Sequence, residues 1–121
     1  MTSDEYIEGR LLTLAWKSVG HISVPAVVTV LFCVRNQVKD GDWMRIISGI
    51  EKLVPVKAPD PDVRTPEFRD LLEIVDGVYE NERIDRFTNG GLFWCETGEK
   101  FWWTEAVKER TGTVAGLELW K

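Results

Sequence analysis

The chain of 121 residues is poor in the side chains that most often build catalytic and metal centres. It has one histidine and two cysteines, Cys33 and Cys95, too few for a usual zinc site or for a disulfide framework. One pairing of the two cysteines is arithmetically possible, but Cys33 lies in an apolar segment and is expected to act as a small hydrophobic residue. With one histidine no Ser-His-Asp set can be defended, and we predict neither a metal site nor a cofactor.

Long apolar runs, an export signal and a phosphate-binding loop are also missing. Residues 26–34, apolar except for Thr29, are too few to cross a bilayer, and the acidic N-terminus lacks the apolar core of a secretory signal. Gly90 and Gly91 alone do not make a phosphate loop. The net charge of −5 repels phosphate backbones. We therefore expect synthesis in the cytoplasm without a signal peptide, and neither a membrane nor a nucleic acid as partner.

What the chain does have is the composition of one soluble globular domain covering residues 1–121. Hydrophobic residues make up 44% and charged residues 29% of the sequence, and a chain of this length can bury a core without covalent cross-links. Six tryptophans are many for this length. Tryptophan fills cores, but its flat face also suits sugar rings and bases.

The most apolar segment, residues 25–38, is predicted to be a helix enclosed by the rest of the domain. Ser23 can cap its start, and Pro25 suits a first helical turn. A helix that is apolar on all sides must be surrounded by other elements. A buried strand is the alternative, because valine and threonine favour strands, but fourteen residues is long for a strand.

Three further helices are predicted around this segment. The first covers residues 4–18, with a capping box formed by Thr2 and Glu5. The third follows a cap at Asp42, and the fourth runs from a cap at Thr65 to about residue 80. Their predicted inward residues are Tyr6, Ile7, Leu11, Leu14 and Ala15 in the first, Trp43, Ile46, Ile47, Ile50 and Leu53 in the third, and Phe68, Leu71, Leu72, Val75, Val78 and Tyr79 in the fourth.

The remaining segments are predicted as loops and short strands. Residues 55–66 hold four of the five prolines and form a surface loop, or alternatively an extended flap along a groove. Residues 92–95 form a strand, and residues 101–103 form either a second strand or a packed aromatic turn. One or two helical turns follow at 104–110, and residues 113–120 form a closing strand. The sum is an α+β fold with a small antiparallel sheet after the helices.

Four blocks in this order resemble the cell-wall hydrolase family that includes the spore-cortex-lytic enzymes and many phage and prophage proteins. They are residues 14–18 (LAWKS), 34–38 (VRNQV), 68–72 (FRDLL) with the turn 85–94 (DRFTNGGLFW), and the final strand 114–121. No block is specific alone; their order and spacing over nearly the whole chain carry the resemblance. It implies a lysozyme-like fold with about four helices around the buried helix 25–38, and an ancestry in cleavage of peptidoglycan glycan strands.

The same resemblance implies that the reaction centre is lost. The family's catalytic glutamate precedes the asparagine matched by Asn36 and falls on Ser18. A serine hydroxyl has no acidic proton near neutral pH and cannot protonate a glycosidic oxygen. Glu8 lies ~15 Å further up the predicted helix, too far to substitute. The family's late histidine falls on Leu117.

The first functional hypothesis is therefore a degenerate, phage-encoded peptidoglycan hydrolase-like domain that binds cell-wall glycan, or another glycan, or serves as a scaffold. Aromatic faces stack on sugars, and amide and hydroxyl groups bond to sugar hydroxyls. These residues also have a purely structural interpretation: Trp16 and Trp94 can be core residues, and Asn36 can cap its own helix. The predicted groove residues are Trp16, Ser18, Asn36, Thr88, Asn89 and Trp94.

Two alternatives remain open at the sequence level. An active glycan hydrolase or lytic transglycosylase would need another acid, and Asp85 and Glu96 lie closest to the motif turn. A virion or tail assembly protein could have borrowed the fold, with other virion proteins as partners. An exposed patch at residues 101–103 would favour the assembly hypothesis. Such a protein would be virion-associated or released at lysis.

Overall fold

Four helices and a three-stranded antiparallel sheet make up residues 3–121, the part of the chain that the computed structural model describes. The predicted α+β class is confirmed. Thr2, in the predicted capping box, lies outside the described residues. The elements are helices α1 (Ser3–Val19), α2 (Val24–Gln37), α3 (Trp43–Glu51) and α4 (Pro66–Tyr79), and strands β1 (Phe93–Glu96), β2 (Arg110–Val114) and β3 (Leu117–Trp120).

Helix α2 is the enclosed central element that the sequence predicts, and the strand alternative is wrong. The Ser23 hydroxyl accepts a hydrogen bond from the Ala26 amide at 3.2 Å, and Pro25 occupies the first turn. The helix packs against the other three helices and β1, and its residues from Ala26 to Val34 are buried except Val28. Val38 already has extended backbone and ends the helix.

The caps of the other helices are only partly as predicted. Thr65 caps α4 through a hydrogen bond to its hydroxyl from the Phe68 amide at 3.3 Å. Asp42 precedes α3 but makes no capping bond to that helix. Its carboxylate instead accepts a hydrogen bond from the Lys39 amide at 2.7 Å and pairs with Arg45.

For three residues the prediction of an inward side chain is wrong: Tyr6, Leu53 and Leu72 are 50%, 47% and 41% exposed. Helix α3 ends at Glu51, so Leu53 lies in a turn beyond it. Leu72 lies beside the stripe of Phe68, Leu71, Val75 and Val78, which are buried. A helix buries only the side chains on the face that meets its neighbours.

The end of the chain is a hairpin, which corrects two predictions. Ala115 and Gly116 have φ of +51° and +83°, the backbone of a two-residue hairpin turn. Residues 113–120 are therefore not one strand but parts of β2 and β3, and residues 104–110 contain no helical turn. Strand β3 lies in the middle of the sheet, in the order β1-β3-β2. Residues 101–103 do not form a strand; they are irregular, and their rings pack on one another in a segment that we call the aromatic turn.

The proline-rich loop docks on the end of α1 through a segment that we call the strap, residues 55–60. The amides of Lys57 and Ala58 both donate to the Lys17 carbonyl, at 2.8 and 2.9 Å. They satisfy an acceptor that a helix end leaves free. Lys17 also pairs with Asp60 at 3.0 Å, and Ala58 is buried. Over residues 3–121, no helix has the length and apolar character needed to cross a membrane.

Candidate functional site

Ser18 and Trp94 meet in the core instead of lining an open groove. Ser18 lies in the last turn of α1 and is 5% exposed, while Trp94 on β1 is 1% exposed. The Trp94 indole Nε1 donates to the Ser18 hydroxyl at 2.9 Å. A ring buried on all sides cannot stack on a sugar, so the burial argues against the glycan contacts predicted for this pair. The core interpretation of Trp94 fits the structure.

A charged network closes the surface above Ser18. The Lys57 ammonium on the strap pairs with both Glu96 and Glu99, and His21 Nε2 lies 3.2 Å from the Glu96 carboxylate. The hydrogen bond from Lys57 is the main reason that the pKa of Glu96 is lowered to about 2. The cavity left beside Ser18 measures about 20 Å³, which is room for about one water molecule.

Asn36 and Thr88 form a second pair, and it organises the turn at residues 85–91. The Asn36 amide nitrogen donates to the Thr88 hydroxyl at 3.0 Å and to the Gly91 carbonyl at 2.9 Å. Asp85 accepts hydrogen bonds from the amides of Phe87 and Thr88, both at 2.9 Å, and from the Thr88 hydroxyl. Asn36 thus bonds to this turn, and Thr88 is fully buried.

The environment of Asp85 keeps this carboxyl ionised. Burial raises the pKa of Asp85, but the hydrogen bonds that it accepts from Thr88, Phe87 and Asn36 outweigh burial and hold the pKa below its usual value. Asp85 and Glu96, the two predicted substitutes for the missing acid, are therefore both carboxylates at neutral pH.

Trp16 and Asn89, the last two predicted groove residues, do not line the cavity at Ser18. Trp16 is half-buried and packs under Gly20, where a Cβ atom would come within 2.8 Å of the indole ring. Its indole nitrogen is buried and has no hydrogen-bond partner among residues 3–121. Asn89 is exposed and has a φ of +49° within the turn. The six predicted residues therefore do not assemble into one groove.

A second depression adjoins the cavity at Ser18 through Trp102, a residue predicted to lie in a second strand or an aromatic turn and not predicted to belong to a site. The half-buried Trp102 lines the small cavity at Ser18 and also a neighbouring depression of about 160 Å³ between α3 and the aromatic turn. Its indole nitrogen donates to the Trp94 carbonyl at 2.6 Å. We call the larger depression the Trp102 groove; its aromatic and polar lining residues are Gln37, Arg45, Phe93, Trp102 and Glu105.

The Trp102 groove combines partly exposed aromatic surface with polar side chains. The aromatic surface comes from the half-buried Trp102, because Phe93 is only 5% exposed and stacks on Trp103. Arg45 and Glu105 add a guanidinium and a carboxylate that can form hydrogen bonds to a ligand. The aromatic density at residues 101–103 was the available sequence signal. Gln37 on α2 and Arg45 on α3 gave no sequence signal, because only the tertiary fold brings them to the groove.

The aromatic turn does not form the exposed patch that would favour the assembly hypothesis. Trp103 is 6% exposed, and Phe101 stacks on it with ring centroids 4.5 Å apart. Phe101 is half exposed, but its neighbours Trp102 and Trp103 turn towards the domain.

One group of acidic side chains among residues 3–121 comes close enough to share a cation. Oxygens of Glu8, Asp76 and Glu80 lie within 4.8 Å of one another between α1 and α4. Burial, together with a hydrogen bond to Asp76, raises the pKa of Glu8 to about 7. None of the three lines the Trp102 groove or the cavity at Ser18.

Comparison with known proteins adds no relative. The chain matches no protein-family model, no curated protein and no solved structure. The resemblance to cell-wall hydrolases consequently stays a prediction from the four sequence blocks.

Proposed function

We propose that this chain is a non-catalytic, lysozyme-like domain that binds glycan, with peptidoglycan as the first candidate. The observation that carries the proposal is the burial of Ser18 and its hydrogen bond with Trp94. The position that the resemblance assigns to the proton donor holds a buried hydroxyl, which is bonded to Trp94 and covered by the strap. A glycosidase needs a protonated acid in contact with the glycosidic oxygen.

Glu96 and Asp85, the two carboxyl groups predicted as substitutes, do not supply such an acid. The pKa of Glu96 is lowered to about 2, and Asp85 also has a lowered pKa, so neither holds a proton at neutral pH. Glu8 has a pKa of about 7, which would suit a general acid. It lies about 15 Å along α1 from Ser18, at the helical rise per residue, and lines neither depression. These facts support binding without cleavage.

The Trp102 groove supports the choice of glycan as the bound molecule. The half-buried Trp102 ring suits the apolar face of a sugar, the charged groups of Arg45 and Glu105 suit its hydroxyls, and Trp102 also lines the small cavity at Ser18. In the phage or prophage setting that the resemblance suggests, a domain of this kind would hold a virion protein on the cell wall or serve as its scaffold.

The binding test uses cosedimentation with purified peptidoglycan sacculi. We expect the wild-type protein to sediment with sacculi, and the double variant Arg45→Ala/Glu105→Gln to bind about tenfold more weakly, because charge-assisted hydrogen bonds are lost. Both side chains line the groove. Arg64→Ala/Glu67→Gln, two exposed positions outside the groove, is the matched control and should bind like the wild type. Equal binding by all three proteins, or by none, would reject the Trp102 groove as the site.

The cleavage test measures turbidity and new reducing ends in the same sacculi. The wild type should release neither, and clearing by the wild type would overturn the non-catalytic assignment. Ser18→Glu is the informative variant alongside it. Any cleavage gained by Ser18→Glu would support the resemblance, because it would show that the surrounding geometry still suits the family's reaction.

A further inference from the structure

A larger depression lies away from the Trp102 groove and shares no lining residue with it. It measures about 500 Å³ and runs between the first half of α2, helix α4 and residues 82–87. We call it the α2 trough. Its apolar walls include Val28, Phe32, Ile74, Ile84 and Phe87. Three separate elements therefore build a concave surface.

The outer wall of the α2 trough leaves large apolar side chains in solvent. Ile84 is 73% exposed and Phe87 is 39% exposed, although each would gain free energy by burial. Contiguous exposed apolar surface of this kind commonly marks a binding site. The trough is also large enough, because pockets for small molecules measure about 300–1,000 Å³.

This wall is held in place by contacts to α2. Phe87 stacks on Phe32 with ring centroids 6.2 Å apart. The Arg35 guanidinium donates to the Asn81 side chain at 3.1 Å and to the Arg83 carbonyl at 3.0 Å. The exposed wall is thus anchored at both ends.

Two arginines give the trough its polarity. Arg83 and Arg86 line it, and within residues 3–121 neither guanidinium forms an ion pair with a carboxylate. Glu82 also lines the trough, so its lining carries one net positive charge on a chain of net charge −5. A guanidinium is a strong and geometrically specific donor to a carboxylate.

We propose that the α2 trough binds a small amphipathic anion, specifically a carboxylate with an aliphatic chain of medium length. The chain lies against the walls formed by Val28, Ile74 and Phe87, and the carboxylate accepts hydrogen bonds from Arg83 and Arg86. The concave shape favours an inserted small molecule over a flat protein surface. This site is independent of the glycan proposal, since no residue is shared.

The probe is sodium decanoate below its micelle concentration, titrated by calorimetry and by methyl NMR of the full chain. We expect saturable one-site binding with shifts at the methyl groups of Val28 and Ile74. The uncharged 1-decanol should bind about tenfold more weakly, because it lacks the charge-assisted bonds. Decyltrimethylammonium should bind more weakly still.

Variants separate the apolar and the charged contributions. Arg83→Gln/Arg86→Gln should weaken decanoate binding about tenfold and leave decanol binding unchanged, whereas the control Arg69→Gln/Lys108→Gln, at exposed positions outside the trough, should change neither. Ile84→Ser should weaken both ligands, and its high exposure protects the fold from this change.

Three results would overturn the proposal. They are the absence of saturable shifts at Val28 and Ile74, equal affinity for decanoate and for the cationic analogue, and unchanged decanoate binding by the double glutamine variant. Sacculus binding by the same variant remains at the wild-type level in every case if the glycan proposal holds, so the two proposals fail separately.

Discussion

At the scale of single residues, Asn36 connects α2 to the 85–91 turn through one amide group. We expect Asn36→Ala to lower the free energy of unfolding by about 2–3 kcal/mol, because it leaves the buried Thr88 hydroxyl and the Gly91 carbonyl short of a partner. Urea unfolding followed by fluorescence measures this change. Asn89→Gly keeps the positive φ of an exposed position in the same turn and is the control. A cost below 0.5 kcal/mol for Asn36→Ala, on the order of a surface change, would contradict this role.

Ser18 is the acceptor for a buried indole N–H group, so its loss should also destabilise the fold. We expect Ser18→Ala to cost about 1–2 kcal/mol in the free energy of unfolding, since Trp94 Nε1 is left unsatisfied in the core. Ser48→Ala, on the half-buried side of α3, serves as the comparison. If both variants unfold at the same urea concentration, the Ser18–Trp94 hydrogen bond does not contribute measurably.

The sequence identified Ser18 and Trp94 as members of one site, and the two side chains do touch. It could not distinguish a groove from a core contact, because both need the same proximity. The burial of Ser18 depends on the strap, whose residue Lys57 lines the same cavity and comes close only through tertiary packing. The sequence therefore predicted that Ser18 and Trp94 lie together, but it could not predict whether the pair faces a ligand or the core.

At the scale of elements, the strap should give the protein a distinct acid dependence. Glu96 has an ordinary pKa of 4.5 that is lowered to about 2 in the fold, mainly by the hydrogen bond from Lys57. Its stabilisation is complete above pH 4.5 and is lost as the pH falls through about 2. Lys57→Met should cost about 1 kcal/mol at pH 7 after solvent screening and should flatten this acid dependence. Urea titrations at several pH values measure it; parallel curves for both proteins would refute the assignment.

The stability contributed by the contact between α1 and α4 should depend on pH in the opposite direction. Burial raises the pKa of Glu8 from 4.5 to about 7, so the folded state binds more protons than the unfolded state between these values. Stability contributed by protonated Glu8 is therefore present below pH 4.5 and is lost as the pH rises through about 7. Glu8→Gln should remove this decline in the melting temperature. A Glu73→Gln variant, on the exposed face of α4, should retain it.

The elements differ in how far the sequence could predict them. Helix α2 was predictable because Ser23, Pro25 and the apolar run all favour the same helix. The β2–β3 hairpin was not, because its turn uses Ala115 in a positive-φ conformation rather than the usual asparagine or glycine. The strap was predicted as a loop or flap, but its docking on Lys17 rests on bonds between distant residues.

At the scale of the whole molecule, the two free thiols can report on opening of the fold. Cys33 on α2 and Cys95 on β1 are both buried, and burial raises the pKa of Cys33 far above its ordinary value and that of Cys95 to about 11. Since the thiolate is the reactive form, a thiol reagent should react slowly with the native protein and rapidly in urea.

Variants with one cysteine show which part opens first. We expect the protein that keeps Cys95 to react faster, because β1 is an edge strand, whereas Cys33 is fully buried on α2, which packs against three helices. Equal rates for Cys33→Ala and Cys95→Ala would show instead that sheet and helices open together. Rapid reaction of both in the absence of urea would contradict the burial of the thiols.

The strand order β1-β3-β2 has a consequence for synthesis on the ribosome. Among the strands of residues 3–121, β1 pairs with β3 alone, and β3 is translated after both β1 and β2. Until residues 117–120 emerge, Phe93, Trp94 and Cys95 of β1 have no neighbouring strand to pair with. An unpaired apolar strand is prone to intermolecular association. We therefore expect the nascent chain to be prone to association in the interval between translation of β1 and of β3.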